Sequence, residues 1–139
     1  MRKYELTRKT NETDISVSLL IDGKGRSEIK TGIGFLDHML EQLAKHSLMD
    51  IEIRANGDLH IDDHHTTEDI GWALGDAFRE ALGDRRGINR YGASLLPMDE
   101  TMSQVVVDLS GRPFLIWRVV LPSKNLGTME TEIIREWFQ

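Results

Sequence analysis

The apolar residues of this chain change their spacing from strand-like alternation to helical recurrence, and they do so twice within the first 85 residues. In "DISVSLLIDGKG", Ile15, Val17, Leu19 and Ile21 alternate and then break at Asp22-Gly23, the pattern of a half-buried strand entering a turn, and "SEIKT" is read as its return strand. After Gly32 and Gly34 the period becomes helical: Leu36, Met39, Leu40 and Leu43 give an amphipathic helix over Phe35 to Lys45. Its apolar stripe faces a core, while His38, Gln42 and His46 follow a different, polar flank. The cycle then restarts. Ile51 and Ile53 alternate before Asn56-Gly57, and Leu59 and Ile61 after it, which predicts a hairpin. From His64 onward Ile70, Ala73, Leu74, Ala77, Phe78, Ala81 and Leu82 define a second helix, with Asp62 or Asp63 as cap and Gly83 as stop.

The order strand, strand, helix, strand, strand, helix makes an α/β (α+β) fold and a unit of residues 1–85. Residues 86–139 begin the same way. "SQVVVDLSGRPFLIWRVVL" predicts strands around Gln104 to Leu109 and Phe114 to Leu121, and "METEIIREWFQ" starts a helix with Ile133, Ile134, Trp137 and Phe138 on one side. The expected architecture is therefore one domain built on a duplicated unit whose second copy is incomplete.

Composition narrows the function. A chain of 139 residues with 40% hydrophobic residues can bury about two-thirds of its unfolded surface. A net charge of -6 argues against general nucleic-acid binding, and any anionic ligand has to be met by local arginines. With no cysteine, a metal here takes only nitrogen and oxygen ligands. The start "MRKYELTRKT" lacks the apolar core of a signal peptide, and no run reaches the roughly 20 apolar residues that cross a bilayer. A cytoplasmic protein with no membrane partner is the expectation.

All five histidines, His38, His46, His60, His64 and His65, fall between positions 38 and 65. His64 and Glu68 are four apart on a helix and share a face, so an imidazole and a carboxylate can hold one cation together. His65 points elsewhere, and neighbouring histidines suit two metals, or one metal and one substrate. Such a mixed donor set suits manganese, iron or zinc, with Asp62 and Asp63 placed to orient the rings. Arg90 in "GINRYG" and Arg112 in "SGRPF" read either as surface ion-pair residues or as a phosphate clamp.

These residues carry a resemblance. "TGIGFLDHMLEQL", "GDLHIDDHHTTEDIG", "GINRYG", "PMDET" and "DLSGRPF" resemble, in order across nearly the whole chain, the imidazoleglycerol-phosphate dehydratase family. The resemblance implies a duplicated α/β fold and a hydro-lyase of histidine biosynthesis, which removes water from imidazoleglycerol phosphate to give imidazoleacetol phosphate. It also implies two manganese ions per active site and a cytoplasmic homo-oligomer of 24 chains with sites shared between subunits. By motif, His38, His64, His65 and Glu68 resemble the metal ligands. Glu12, in "TRKTNETD", matches an N-terminal acid near the reacting carbon, with His65 and Glu68 beside it as catalytic groups, and Gln42 lines the same site. Arg90 and Arg112 match phosphate contacts. Because the hydrogen removed is not next to a carbonyl, the imidazole ring itself has to accept the electrons, as a metal-bound imidazolate.

The chain also departs from the family pattern. It contains no second histidine-histidine-x-x-glutamate motif and no C-terminal serine-lysine phosphate contact, and Glu136 stands where some relatives have a ligating histidine. A polypeptide ending at Gln139 is accordingly expected to be poorly stable and inactive by itself. The alternative reading is a non-catalytic fragment, or a metal- and phosphate-binding relative with half of the metal site.

Overall fold

A computed structural model describes residues 1–139. Its central element is a four-stranded sheet made of β1 (Lys3–Lys9), β2 (Thr13–Leu20), β3 (Ser27–Lys30) and β4 (Asp50–Gly57), in the order β1-β2-β4-β3. β1 and β4 both run antiparallel to β2, whereas β3 runs parallel to β4. A parallel pair needs a crossover, and helix α1 (Gly34–Ser47) supplies it between β3 and β4. Helix α2 (His64–Leu82) follows β4.

Alternation puts one face of this sheet in the core. Ile15, Val17 and Leu19 of β2, Ile29 of β3 and Ile51 and Ile53 of β4 are buried, while Ser16, Glu52 and Arg54 between them are exposed. Leu36, Leu40 and Ala44 of α1 and Ile70, Ala73, Leu74 and Ala77 of α2 close over that face. Complete burial of an isoleucine or leucine stabilises by roughly 1.5–3 kcal/mol, so this contiguous cluster holds both helices in place. The loop into α1 is fixed by Asp37, whose Oδ1 accepts the Thr31 N–H at 2.9 Å and the Thr31 hydroxyl at 2.5 Å.

Four local expectations need correction. β1 has no counterpart in the predicted elements; its Tyr4 and Leu6 are only half-buried between charged neighbours, so the apolar alternation is weak. "SEIKT" is a strand but not a return strand, because β4, with two fully buried isoleucines, takes the place between it and β2. The Asn56-Gly57 hairpin does not form. Gly57 ends β4 opposite Thr13, and a Cβ there would lie 1.9 Å from Thr66 Oγ1, so this glycine serves the close approach of α2 to the sheet. Finally, Phe114 to Leu121 is not a strand; Phe114 and Val120 are about nine-tenths exposed.

The chain divides into two compact units. Residues 84–115 form one, an antiparallel hairpin of β5 (Tyr91–Met98) and β6 (Thr101–Asp108) joined by Asp99 and Glu100. Both faces of that hairpin are exposed. Residues 1–83 and 116–139 form the other, and its C-terminal part carries the short pair β7 (Asn125–Leu126) and β8 (Met129–Glu130) and helix α3 (Ile133–Phe138). Met129 and Ile133 join the core, and α3 lies so close to α2 that a Cβ on Gly71 would sit 2.4 Å from the Trp137 carbonyl oxygen. No helix is long and apolar enough to cross a membrane.

Candidate active site

The first turn of α2 presents the histidine pair. Asp62 Oδ1 accepts the His64 N–H at 2.8 Å, and the Asp63 carbonyl accepts the Thr67 N–H at 3.0 Å, so the chain enters the helix here. Thr66 and Thr67 face the interior and are fully buried, which turns His64, His65 and Glu68 outward. His64 Nε2 stands 3.7 Å from Glu68 Oε2, with both side chains about half exposed. That separation is too long for a good hydrogen bond and somewhat wider than the roughly 3 Å between two donors each about 2.1 Å from one octahedral ion. A small side-chain rotation would be needed for the two to meet a common cation.

His65 is held differently. Its Nδ1 lies 2.8 Å from Oδ2 of Asp58, whose side chain is only 11% exposed, and its ring is 5.9 Å from that of His64 and tilted by 32°. The hydrogen bond to Asp58 raises the His65 pKa, and the charges of Asp62 and Glu12 add to it. The same bond lowers the Asp58 pKa. With Nδ1 occupied, Nε2 is the ring atom left for a ligand. Asp58 thus does what Asp62 and Asp63 were expected to do: Asp62 caps the helix backbone, and Asp63 makes no side-chain cap bond and has its pKa raised by partial burial and by Asp62. Asp58 precedes His65 by seven residues, and only the turn between β4 and α2, with the Ile61 N–H on the Asp58 carbonyl, brings the two together.

Of the other predicted residues, Glu12 is exposed in the turn between β1 and β2. His38 is exposed on α1 four residues before the half-buried Gln42, and it does not join the His64–Glu68 pair. No three histidine, aspartate or glutamate side chains of the chain gather into one metal-holding group. In the hairpin unit, Arg90 makes two bonds to Asp108, at 2.7 and 3.2 Å, and lies 4.9 Å over the Tyr91 ring. Arg112 follows Gly111 in a turn where Ser110 Oγ accepts its N–H, and its guanidinium forms no ion pair. In the larger unit, Glu68 and Glu136 line a common open cavity of about 730 Å³ together with Arg8, Asp69, Trp72 and Trp137.

The family model described as imidazoleglycerol-phosphate dehydratase matches residues 31–139. Proteins of that name from Dinoroseobacter shibae and Cereibacter sphaeroides are 57% and 58% identical over the whole chain, which spans 71% of each of them. The solved structure of the Staphylococcus aureus dehydratase superposes with a TM-score of 0.86 at 40% identity, covering 98% of this chain and 74% of that one. For the Pyrococcus furiosus enzyme the TM-score is 0.80 at 35% identity, covering 96% and 70%. The chain therefore belongs to the imidazoleglycerol-phosphate dehydratase family.

Proposed function

We propose that this hydro-lyase of histidine biosynthesis dehydrates imidazoleglycerol phosphate with manganese held by His64, His65, Glu68 and His38. The observation that carries the metal reading is the His64–Glu68 pair standing beside a second histidine already oriented through its other nitrogen. The donors fit in kind, since nitrogen and carboxylate oxygen suit manganese. In number they do not complete a shell, because one chain gathers no three of them. Sites shared between subunits supply the remaining ligands in this reading, and it supports a homo-oligomer, with 24 chains as the assembly the family resemblance implies. A cytoplasmic location accords with the family's biosynthetic role.

When bound, the metal supplies Lewis-acid stabilisation of the imidazolate form of the substrate ring. The chain's own groups do the rest. The hydroxyl on the ring-attached carbon leaves, and Glu12, placed by the turn before β2, takes the proton from the next carbon along, where no carbonyl is present to acidify it; the enol so formed tautomerises to the ketone of the product. Glu68 passes a proton to the departing hydroxyl through the carboxylate oxygen not given to the metal, and His65, with Asp58 on Nδ1, would hold the metal through Nε2. Gln42 donates a hydrogen bond from the flank of α1. Arg90 and Arg112 bind the phosphate, pairs of whose oxygens match the planar guanidinium fork and whose charge needs local cations in a chain of net charge -6. Arg112 has no competing ion pair, whereas Arg90 is already oriented by Asp108.

The absence of a three-donor group within one chain favours a second reading, in which this polypeptide keeps the fold and the ligand pair without turnover. Metal removal separates the two. Chelated protein should be inactive on imidazoleglycerol phosphate and regain activity with manganese. Turnover that survives chelation excludes the metal-dependent route, and no turnover at any manganese concentration selects the second reading.

A further inference from the structure

The turn that carries Glu12 is tied to α2 by a contact outside the predicted site. Thr13, 3% exposed, donates its hydroxyl to Asp69 Oδ2 at 2.5 Å across 56 residues of sequence. The same Asp69 oxygen pairs with Arg8 at 2.7 Å, and the Arg8 guanidinium lies 4.9 Å over the ring of Trp72, one turn further along α2. On the other side Thr10 Oγ1 accepts the N–H groups of Glu12 at 3.1 Å and Thr13 at 3.0 Å, and the Thr13 carbonyl accepts the Thr10 N–H at 2.8 Å. Because the Thr13 hydroxyl is already donated to Asp69, the Thr10 hydroxyl is the donor in the 3.2 Å contact between them. The turn is thus closed on itself and fastened at one point.

That point is well chosen. Asp69 lies four residues after His65, on the same helix face, and next to Glu68. Glu12 directly precedes Thr13 in the turn between β1 and β2, its N–H held by Thr10 Oγ1. We propose that Thr13 and Asp69 form a clamp that fixes the turn carrying Glu12 against α2 one turn beyond His65, which makes Asp69 and Thr13 positioning residues of the dehydration. The inference rests on the reading of Glu12 as the base.

Thr13→Val, which keeps the shape and removes the hydroxyl, should lower kcat by about 10- to 100-fold while KM changes little, since displacement of a reacting group by about 1 Å has such an effect. Amide hydrogen exchange at residues 10–13 should accelerate in the same variant. Thr13→Ser restores the hydroxyl and should return both to parental values. If Thr13→Val fails to fold, Thr13→Ala is read in its place. Parental kcat and exchange in the valine or alanine variant overturn the clamp, as does a serine variant as impaired as valine. Glu12→Gln distinguishes the two levels. Full activity in that variant removes the base assignment, while the exchange measurements still decide whether the clamp exists.

Discussion

Asp58 Oδ2 lies 2.8 Å from His65 Nδ1, and the carboxylate is the more buried of the two partners. A nearly buried acceptor on one ring nitrogen fixes the rotation and the tautomer of the imidazole and makes the other nitrogen a better donor to a metal. Asp58→Ala should therefore weaken manganese binding by about 10- to 100-fold, the usual effect of losing such an outer partner. Competition titration against a fluorescent chelator reads this directly. Affinity equal to the parent's would show that His65 is oriented by something else.

The approach of α2 to β4 depends on Gly57. A side-chain carbon there would meet Thr66 Oγ1 at 1.9 Å and Thr66 Cβ at 3.1 Å, and Thr66 is fully buried and stiff at Cβ. Gly57→Ala should lower stability by about 1–3 kcal/mol in urea unfolding. Gly75 in the same helix meets nothing within 4 Å, so Gly75→Ala should instead stabilise by about 0.5–1 kcal/mol. Equal effects at the two positions would contradict the packing described.

Gly57 also marks how far the sequence could be read. The helices were legible, since seven apolar residues recurring from Ile70 to Leu82 allow few alternatives, and α1 extends only a residue or two beyond its predicted span. Asn56-Gly57 carries the local signature of a hairpin, yet the steric demand of Thr66, nine residues later, is what the glycine answers. Strand partners were not legible either, because β3 and β4 pair across the whole of α1. At the site, the fourfold spacing of His64 and Glu68 declared itself, while Asp58 and the Thr13–Asp69 contact depend on tertiary geometry that no local spacing encodes.

Arg112 tests the phosphate clamp. It forms no ion pair, so its substitution breaks no carboxylate contact of the fold, unlike a change at Arg90, which would release Asp108. Arg112→Lys keeps the charge and removes the planar fork. Binding of inorganic phosphate, followed by calorimetry, should weaken by about tenfold, equivalent to about 1.4 kcal/mol. Unchanged affinity would remove Arg112 from the clamp.

The edge of the sheet carries a pH-dependent contact. Arg2 donates to Asp22 through its Nε and its backbone N–H, at 3.1 and 3.2 Å, and a further bond from Nη2 joins them. These bonds lower the Asp22 pKa from its usual 3.8 to about 2. A carboxylate depressed on folding contributes stability that is present above its unfolded pKa and lost as pH falls through its folded one. Arg2→Ala should therefore be less stable than the parent by a constant amount above about pH 4, and the gap should close towards about pH 2. The pair is solvent-exposed, so the difference is small. Denaturation midpoints at several pH values would show it, and a gap that widens in acid would be contrary to the assignment.

The central claim, that the start of α2 holds the metal, is tested most directly by the manganese content of His65→Ala protein. After saturation and removal of free ions, elemental analysis should find fewer manganese ions per chain than in the parent, because the substitution removes the proposed ligand, whose ring is already oriented by Asp58. An unchanged manganese-to-chain ratio would contradict the account.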